Sequence, residues 1–177
     1  MANKNWLINK QINIDNYKSI INNLLIEKED LVSKSTRGFN SEQYNLINYK
    51  DKFKTIIESV KKELSLIDSS VIYNLVSAWT VIGKENSYHT VHRHNVDNVN
   101  HIATVLYLEV PSYNLHQPGE FYYFTNDNNN NIICNNIVPR NGTFIIMPIY
   151  LLHGSYPQSN AIRQTLNMDF EIVKKDG

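Results

Sequence analysis

Six histidines are spread unevenly along the chain, and two of them sit two residues apart in HTVHRH (89–94). In an extended segment side chains alternate, so His92 and His94 point the same way and His89 points to the other face. Two imidazoles on one face of a strand can bind one metal ion together. A third donor from a distant strand would complete one face of an octahedron and leave the remaining positions open. His153, in MPIYLLHGSYP (147–157), is the candidate third donor. The competing explanation is a set of surface or hydrogen-bonded core histidines.

Ten residues beyond His153, Arg163 opens the strand-like segment AIRQTLNMDFEIV (161–173). Alternation puts Arg163, Thr165 and Asn167 on one face of that strand and Gln164 and Leu166 on the other. A guanidinium aimed into a core needs an anionic partner, because burying it unpaired is very costly. Its planar fork of donors suits a carboxylate, and Thr165 could add a hydroxyl donor. The strand therefore offers a carboxylate clamp beside the candidate metal site. The alternative is a structural arginine paired with an Asp or Glu of the protein itself.

The elements that must position these residues change character near residue 70. Before it, the periodicity is helical. Ile20, Ile21, Leu24 and Leu25 form the apolar face of one helix, with Asp15 or Asn16 placed to cap it. Tyr49, Phe53, Ile56, Ile57, Val60 and Leu64 form the face of a second, longer helix. WLINKQI (6–12) reads as an edge strand and residues 33–46 as a polar loop. After residue 70, short Val-, Ile-, Tyr-, Phe- and Thr-rich runs follow one another at 71–82, 87–94, 101–110, 119–124, 131–138, 143–147, 151–156 and 161–173. Turn-forming residues lie in most of the breaks. The expected fold is mainly β with N-terminal α-helices: a jelly roll, or double-stranded β-helix, backed by helices. A single domain is expected over residues 1–177, with 1–70 a helical support region and 71–173 the jelly-roll core.

Bulk composition narrows the function class. Seventeen basic and 17 acidic residues balance, and no basic stripe offers a nucleic-acid surface. No apolar run approaches the ~20 residues of a membrane span, and the first residues lack the apolar core of a signal peptide. A cytoplasmic protein with no nucleic-acid or membrane partner is expected. The single cysteine, Cys134, excludes an internal disulfide and reads as a small buried residue.

Taken together, these motifs resemble the 2-oxoglutarate- and iron(II)-dependent oxygenase superfamily. There an early strand carries His-x-Asp/Glu, a late strand carries a second His, and an Arg follows about ten residues later, often as Arg-x-Ser. Here the matching residues are His92-Arg93-His94, His153 and Arg163-Gln164-Thr165. Prolyl-hydroxylase-like members follow the first pair with a strand ending in Tyr-Leu and a Gly-Gly-Glu-like turn; this chain has TVLYLEVP (104–111) and PGEFYYF (118–124). By that match Tyr107 takes the place of a tyrosine that helps bind 2-oxoglutarate. The chain is more similar still to a branch found in phages and bacteria, through RGFNS (37–41), AWTVIG (78–83), HRH (92–94) and MPIYLLH (147–153).

The resemblance implies iron(II) held by His92, His94 and His153, with 2-oxoglutarate as cosubstrate bound by Arg163, Thr165 and Tyr107. Dioxygen would be the oxidant, succinate and carbon dioxide the coproducts, and hydroxylation of a C–H bond the usual outcome. A small molecule or a peptide or protein side chain would be the substrate. One position departs from the pattern: residue 94 is His where the superfamily has a carboxylate. His94, Asp97 or a water could therefore complete the ligand set. Two other readings remain: a cupin-type metalloenzyme that does not use 2-oxoglutarate, and a non-catalytic jelly-roll binding protein.

Overall fold

Ten strands, two α-helices and one 3-10 segment make up the residues that the computed structural model describes, which are 6–27, 32–33, 38–94, 100–111, 119–159 and 161–175. In chain order they are β1 (Ile8–Gln11), α1 (Tyr17–Glu27), β2 (Val32–Ser33), β3 (Gly38–Asn45), the 3-10 segment (Ile47–Phe53), α2 (Lys54–Ser65), β4 (Val71–His92), β5 (His101–Glu109), β6 (Phe121–Asn126), β7 (Ile132–Ile137), β8 (Thr143–Pro148), β9 (His153–Ser155) and β10 (Arg163–Lys174). The strands pair in the order β1-β8-β5-β10-β4-β9-β6-β7, with β3 on the other flank of β4 and β2 beside β3. Every described pairing is antiparallel. This is the double-stranded β-helix backed by helices that the strand count implied, and WLINKQI supplies its edge strand β1 against β8.

Two layers of core explain why β5 and β10 are buried on both faces. Even-numbered residues, including Leu106, Leu108, Leu166, Met168 and Phe170, pack against Ile21, Leu24, Phe53, Ile56, Val60 and Leu64 of the helical region. Odd-numbered Ala103, Val105 and Tyr107 join Phe121, Ile145, Met147 and Leu151 inside the barrel. The period-2 alternation of β10 thus gives its even side chains to the helix layer. Its odd ones, Arg163, Thr165, Asn167 and Asp169, go to the barrel interior, where they line one cavity.

Three expectations are corrected. The segment 71–82 and most of 87–94 form one 22-residue strand, β4, which ends at His92. The break expected between them is an irregularity and not a turn: Asn86 adopts φ +58°, and β3 runs alongside, pairing Ser41 with Gly83 and Phe39 with Tyr88. Much of the polar stretch 33–46 is strand β3, whose polarity reflects half-exposed side chains and not a loop. Cys134 is exposed, because β7 is the terminal strand of its sheet and has a neighbour on one side only.

Candidate metal centre

The site forms where β4 changes partner. From Val71 to Gly83 it pairs with β10, and from His89 to His92 it pairs with β9 on the same flank, opposite β3. His92 and His153 are register partners across the β4–β9 ladder, with ring centroids 4.4 Å apart. His94 lies just beyond β4, where its backbone N–H donates to the Ile149 carbonyl at 3.0 Å. One ligand nitrogen from each of His92, His94 and His153 lies within 4.8 Å of the others.

Hydrogen bonding fixes the tautomer of all three rings. Nδ1 of His92 is 2.8 Å from the Thr90 carbonyl, and Nδ1 of His153 is 2.8 Å from the Leu151 carbonyl. Nδ1 of His94 is 2.8 Å from Oδ1 of Asp169. Carbonyl oxygens only accept, so Nδ1 of His92 and His153 must carry the proton, and the carboxylate imposes the same tautomer on His94. The Nε2 lone pair of each ring is left for an ion. Burial, with the neighbouring His94 and His92 rings next, holds the His153 pKa well below the usual histidine range, which keeps it a neutral donor. A set of neutral imidazoles fits a divalent transition metal.

A cavity of about 390 Å³ runs from these histidines to Arg163, and Tyr107 and Thr165 also line it. Arg163 is 6% exposed, yet its described partners are neutral: Nη2 donates to Ser155 Oγ at 2.9 Å and Nη1 to the Gly119 carbonyl at 3.2 Å. Among the described residues it forms no ion pair with a carboxylate, so the structural-arginine alternative finds no support. Burial lowers its pKa from the ordinary value, and the negative charge that Tyr107 takes up at high pH offsets that in part. Around it the hydroxyls are positioned to donate. Ser155 Oγ accepts from Arg163 and from the His89 backbone N–H, and Thr165 Oγ1 accepts from Asn167 Nδ2 at 3.1 Å. Each keeps its own O–H for another acceptor. Tyr107, with a pKa pushed up to about 12 by burial, stays a neutral phenol. This end of the cavity is built for an anion with several oxygen acceptors.

All six residues expected to share a site therefore line one cavity, while Asp97 falls outside the described residues. His89 was expected on the opposite face from His92. A bulge corrects that: between the His89–Ser155 and His92–His153 pairs, β4 advances three residues while β9 advances two. The extra residue turns His89 toward the cavity, with its ring 6.0 Å from that of His92. Asp169 and Ser155 were not foreseen. One more step of the Arg163-Thr165-Asn167 alternation would have reached Asp169; no local pattern marks Ser155.

The sequence matches no family model and no curated protein. Solved structures do match. The viral collagen prolyl hydroxylase of Paramecium Bursaria Chlorella virus-1, in its 2OG complex, superposes with a TM-score of 0.64 at 18% identity, over 94% of this chain and 96% of that one. The fold is that of the 2-oxoglutarate- and iron(II)-dependent oxygenases. A Trichoplax adhaerens prolyl hydroxylase, solved with a hypoxia inducible factor peptide fragment, gives 0.68 at 11% identity over 96% and 84% of the two chains. HygX from Streptomyces hygroscopicus, with nickel, 2-oxoglutarate and hygromycin B bound, gives 0.66 at 12% identity over 94% and 82%. Among the described residues no helix is long and apolar enough to cross a membrane.

Proposed function

We propose that this protein is an iron(II)- and 2-oxoglutarate-dependent dioxygenase that hydroxylates a C–H bond of a small molecule or a peptide side chain. The observation that carries the reading is the guanidinium of Arg163, buried in the cavity with only neutral partners among the described residues. A buried cation of this kind calls for an anionic partner, and a bound carboxylate would supply it. His92, His94 and His153 would hold the metal. Bound there, iron(II) would supply the coupling of C–H oxidation by dioxygen to conversion of 2-oxoglutarate into succinate and carbon dioxide.

The chain's own residues bind and orient. Arg163 pairs with the cosubstrate carboxylate remote from the metal, and the hydroxyls of Thr165 and Tyr107 add donors to it. Val105 and Phe121 add apolar wall to the same cavity, with the Phe121 ring against His153, and would help keep bulk water from the cosubstrate. The fold supports this reading, since proteins of the same fold were solved with 2-oxoglutarate bound. Proteins of this fold were also solved with a peptide fragment and with hygromycin B bound, and the mixed polar and apolar lining here suits a peptide or a small molecule.

The all-imidazole donor set is the one observation that also suits a cupin-type metalloenzyme without 2-oxoglutarate, and one experiment separates the two. Anaerobic addition of iron(II) and then 2-oxoglutarate should produce a weak visible charge-transfer band. Arg163→Ala should abolish it at the same ligand concentrations, and aerobic incubation of the wild type should form succinate. Iron binding without band or succinate would leave the cupin-type reading in place of the oxygenase.

A further inference from the structure

The three candidate metal donors are not supported alike. His92 and His153 hand their Nδ1 protons to backbone carbonyls of the residues two before them, Thr90 and Leu151. His94 alone hands its proton to a side-chain carboxylate, that of Asp169, 75 residues away in sequence. His94 is also the residue that, in the superfamily the motif order resembles, has a carboxylate ligand in its place. The position that lacks a carboxylate in the ligand set is thus the position with a carboxylate directly behind it.

Asp169 is built into this place by the fold. It is the fourth inward-facing residue of β10, and its register partners on either side are the small Ser77 and Ala103. Next to it β4 carries one extra residue, Val76, between the Asp169–Ser77 and Phe170–Leu75 pairs, while β10 continues in regular register with β5. Side-chain exposure is 7% for His94 and 10% for Asp169. Among the described residues, His94 is the only cationic or potentially cationic partner of Asp169. A carboxylate this buried is costly unless charge is compensated. A neutral imidazole compensates little of it, whereas a divalent cation on the far nitrogen of the same ring compensates it through the ring.

We infer that Asp169 is a positioning residue that makes a three-histidine centre the charge equivalent of a two-histidine, one-carboxylate centre. It holds His94 in the Nδ1–H tautomer, aims Nε2 at the ion, and supplies the negative charge one imidazole away from the metal. This rests on the metal-centre reading above.

The test uses cobalt(II) as a spectroscopic probe with the full chain, and needs no turnover. Apo-protein is titrated with cobalt(II) and the visible d–d bands give Kd for wild type, Asp169→Ala and Asp169→Asn. Asp169→Ala should weaken cobalt binding by about 10–100-fold, the range found when the outer partner of a ligating histidine is removed. Asp169→Asn keeps the volume and an oxygen acceptor but removes the charge, so it should fold as the wild type does and still lose about ten-fold. Long-range proton–nitrogen NMR of the zinc-loaded protein should show a protected Nδ1–H on His94 in wild type and in Asp169→Asn. That proton should be lost from the protected set in Asp169→Ala. Wild-type affinity in Asp169→Asn would overturn the charge role, and a protected His94 Nδ1–H that survives in Asp169→Ala would overturn the positioning role, while the metal centre stands. A wild-type chain that binds no cobalt would remove the metal centre itself and this inference with it.

Discussion

Nη2 of Arg163 donates to Oγ of Ser155 at 2.9 Å, and this bond closes the gap that opens where β4 leaves β10 for β9. The same oxygen accepts the backbone N–H of His89 at 3.1 Å. One hydroxyl therefore ties the proposed cosubstrate clamp to the strand that presents His92.

Ser155→Ala should loosen that tie. It removes the acceptor of the buried Arg163 Nη2–H and of the part-buried His89 N–H, at about 1–3 kcal/mol for the buried donor if water does not replace it. The expected outcome is a lower Tm together with weaker 2-oxoglutarate binding by about ten-fold, on the basis of ~1.4 kcal/mol. Thermal melts and anaerobic titration of the charge-transfer band measure the two effects.

Arg163→Lys keeps the charge but not the planar fork. A lysine ammonium cannot reach Ser155 Oγ, the Gly119 carbonyl and both oxygens of a carboxylate in the same fixed geometry. KM for 2-oxoglutarate should rise by at least about ten-fold while kcat at saturation falls much less, the pattern of lost uniform binding. Steady-state succinate production separates the two constants.

Gly119→Ala should act on the same clamp from behind. Gly119 has φ +62°, and an added Cβ would lie 3.0 Å from Cβ of Gln158 and 3.5 Å from Nη1 of Arg163. The left-handed backbone alone costs an alanine about 1–2 kcal/mol. A drop in Tm is expected with a raised KM for 2-oxoglutarate, since the Gly119 carbonyl that receives Nη1 must shift.

Tyr107 gives a pH signature. Its pKa is pushed up to about 12 by burial, so the native state keeps it neutral at a pH where the unfolded chain ionises it. For a raised pKa of this kind, the contribution is fully present below the unfolded value of ~10 and is lost as pH rises from there toward ~12. Tyr107→Phe should therefore lose less stability than wild type between about pH 10 and 12, by at most roughly 2–3 kcal/mol. Denaturant melts across that range, compared for the two proteins, check it. At neutral pH the same variant should weaken 2-oxoglutarate binding through loss of one donor.

Sequence alone determined what depends on local periodicity and on residue type. The helical spacing of Ile56, Ile57, Val60 and Leu64 specifies an amphipathic helix, and all four are buried in α2. Alternation along 163–173 put Arg163 and Thr165 on one face because a strand permits no other arrangement. The order His-x-His, His, Arg named the residues that line the cavity. What the tertiary structure decided are relations between segments distant in sequence. The bulge opposite β9 turned His89 toward the cavity, because an inserted residue resets the parity that a sequence reader assumes is constant. β4 continues past its apparent break because β3 pairs with it on both sides, at Gly83 and at Tyr88, leaving 84–87 as a bulge between them. Asp169 met His94 across 75 residues, since β10 enters the barrel beside the end of β4. Hydrogen-bond partners of this kind have no signature in the chain: they exist only once two strands lie in register.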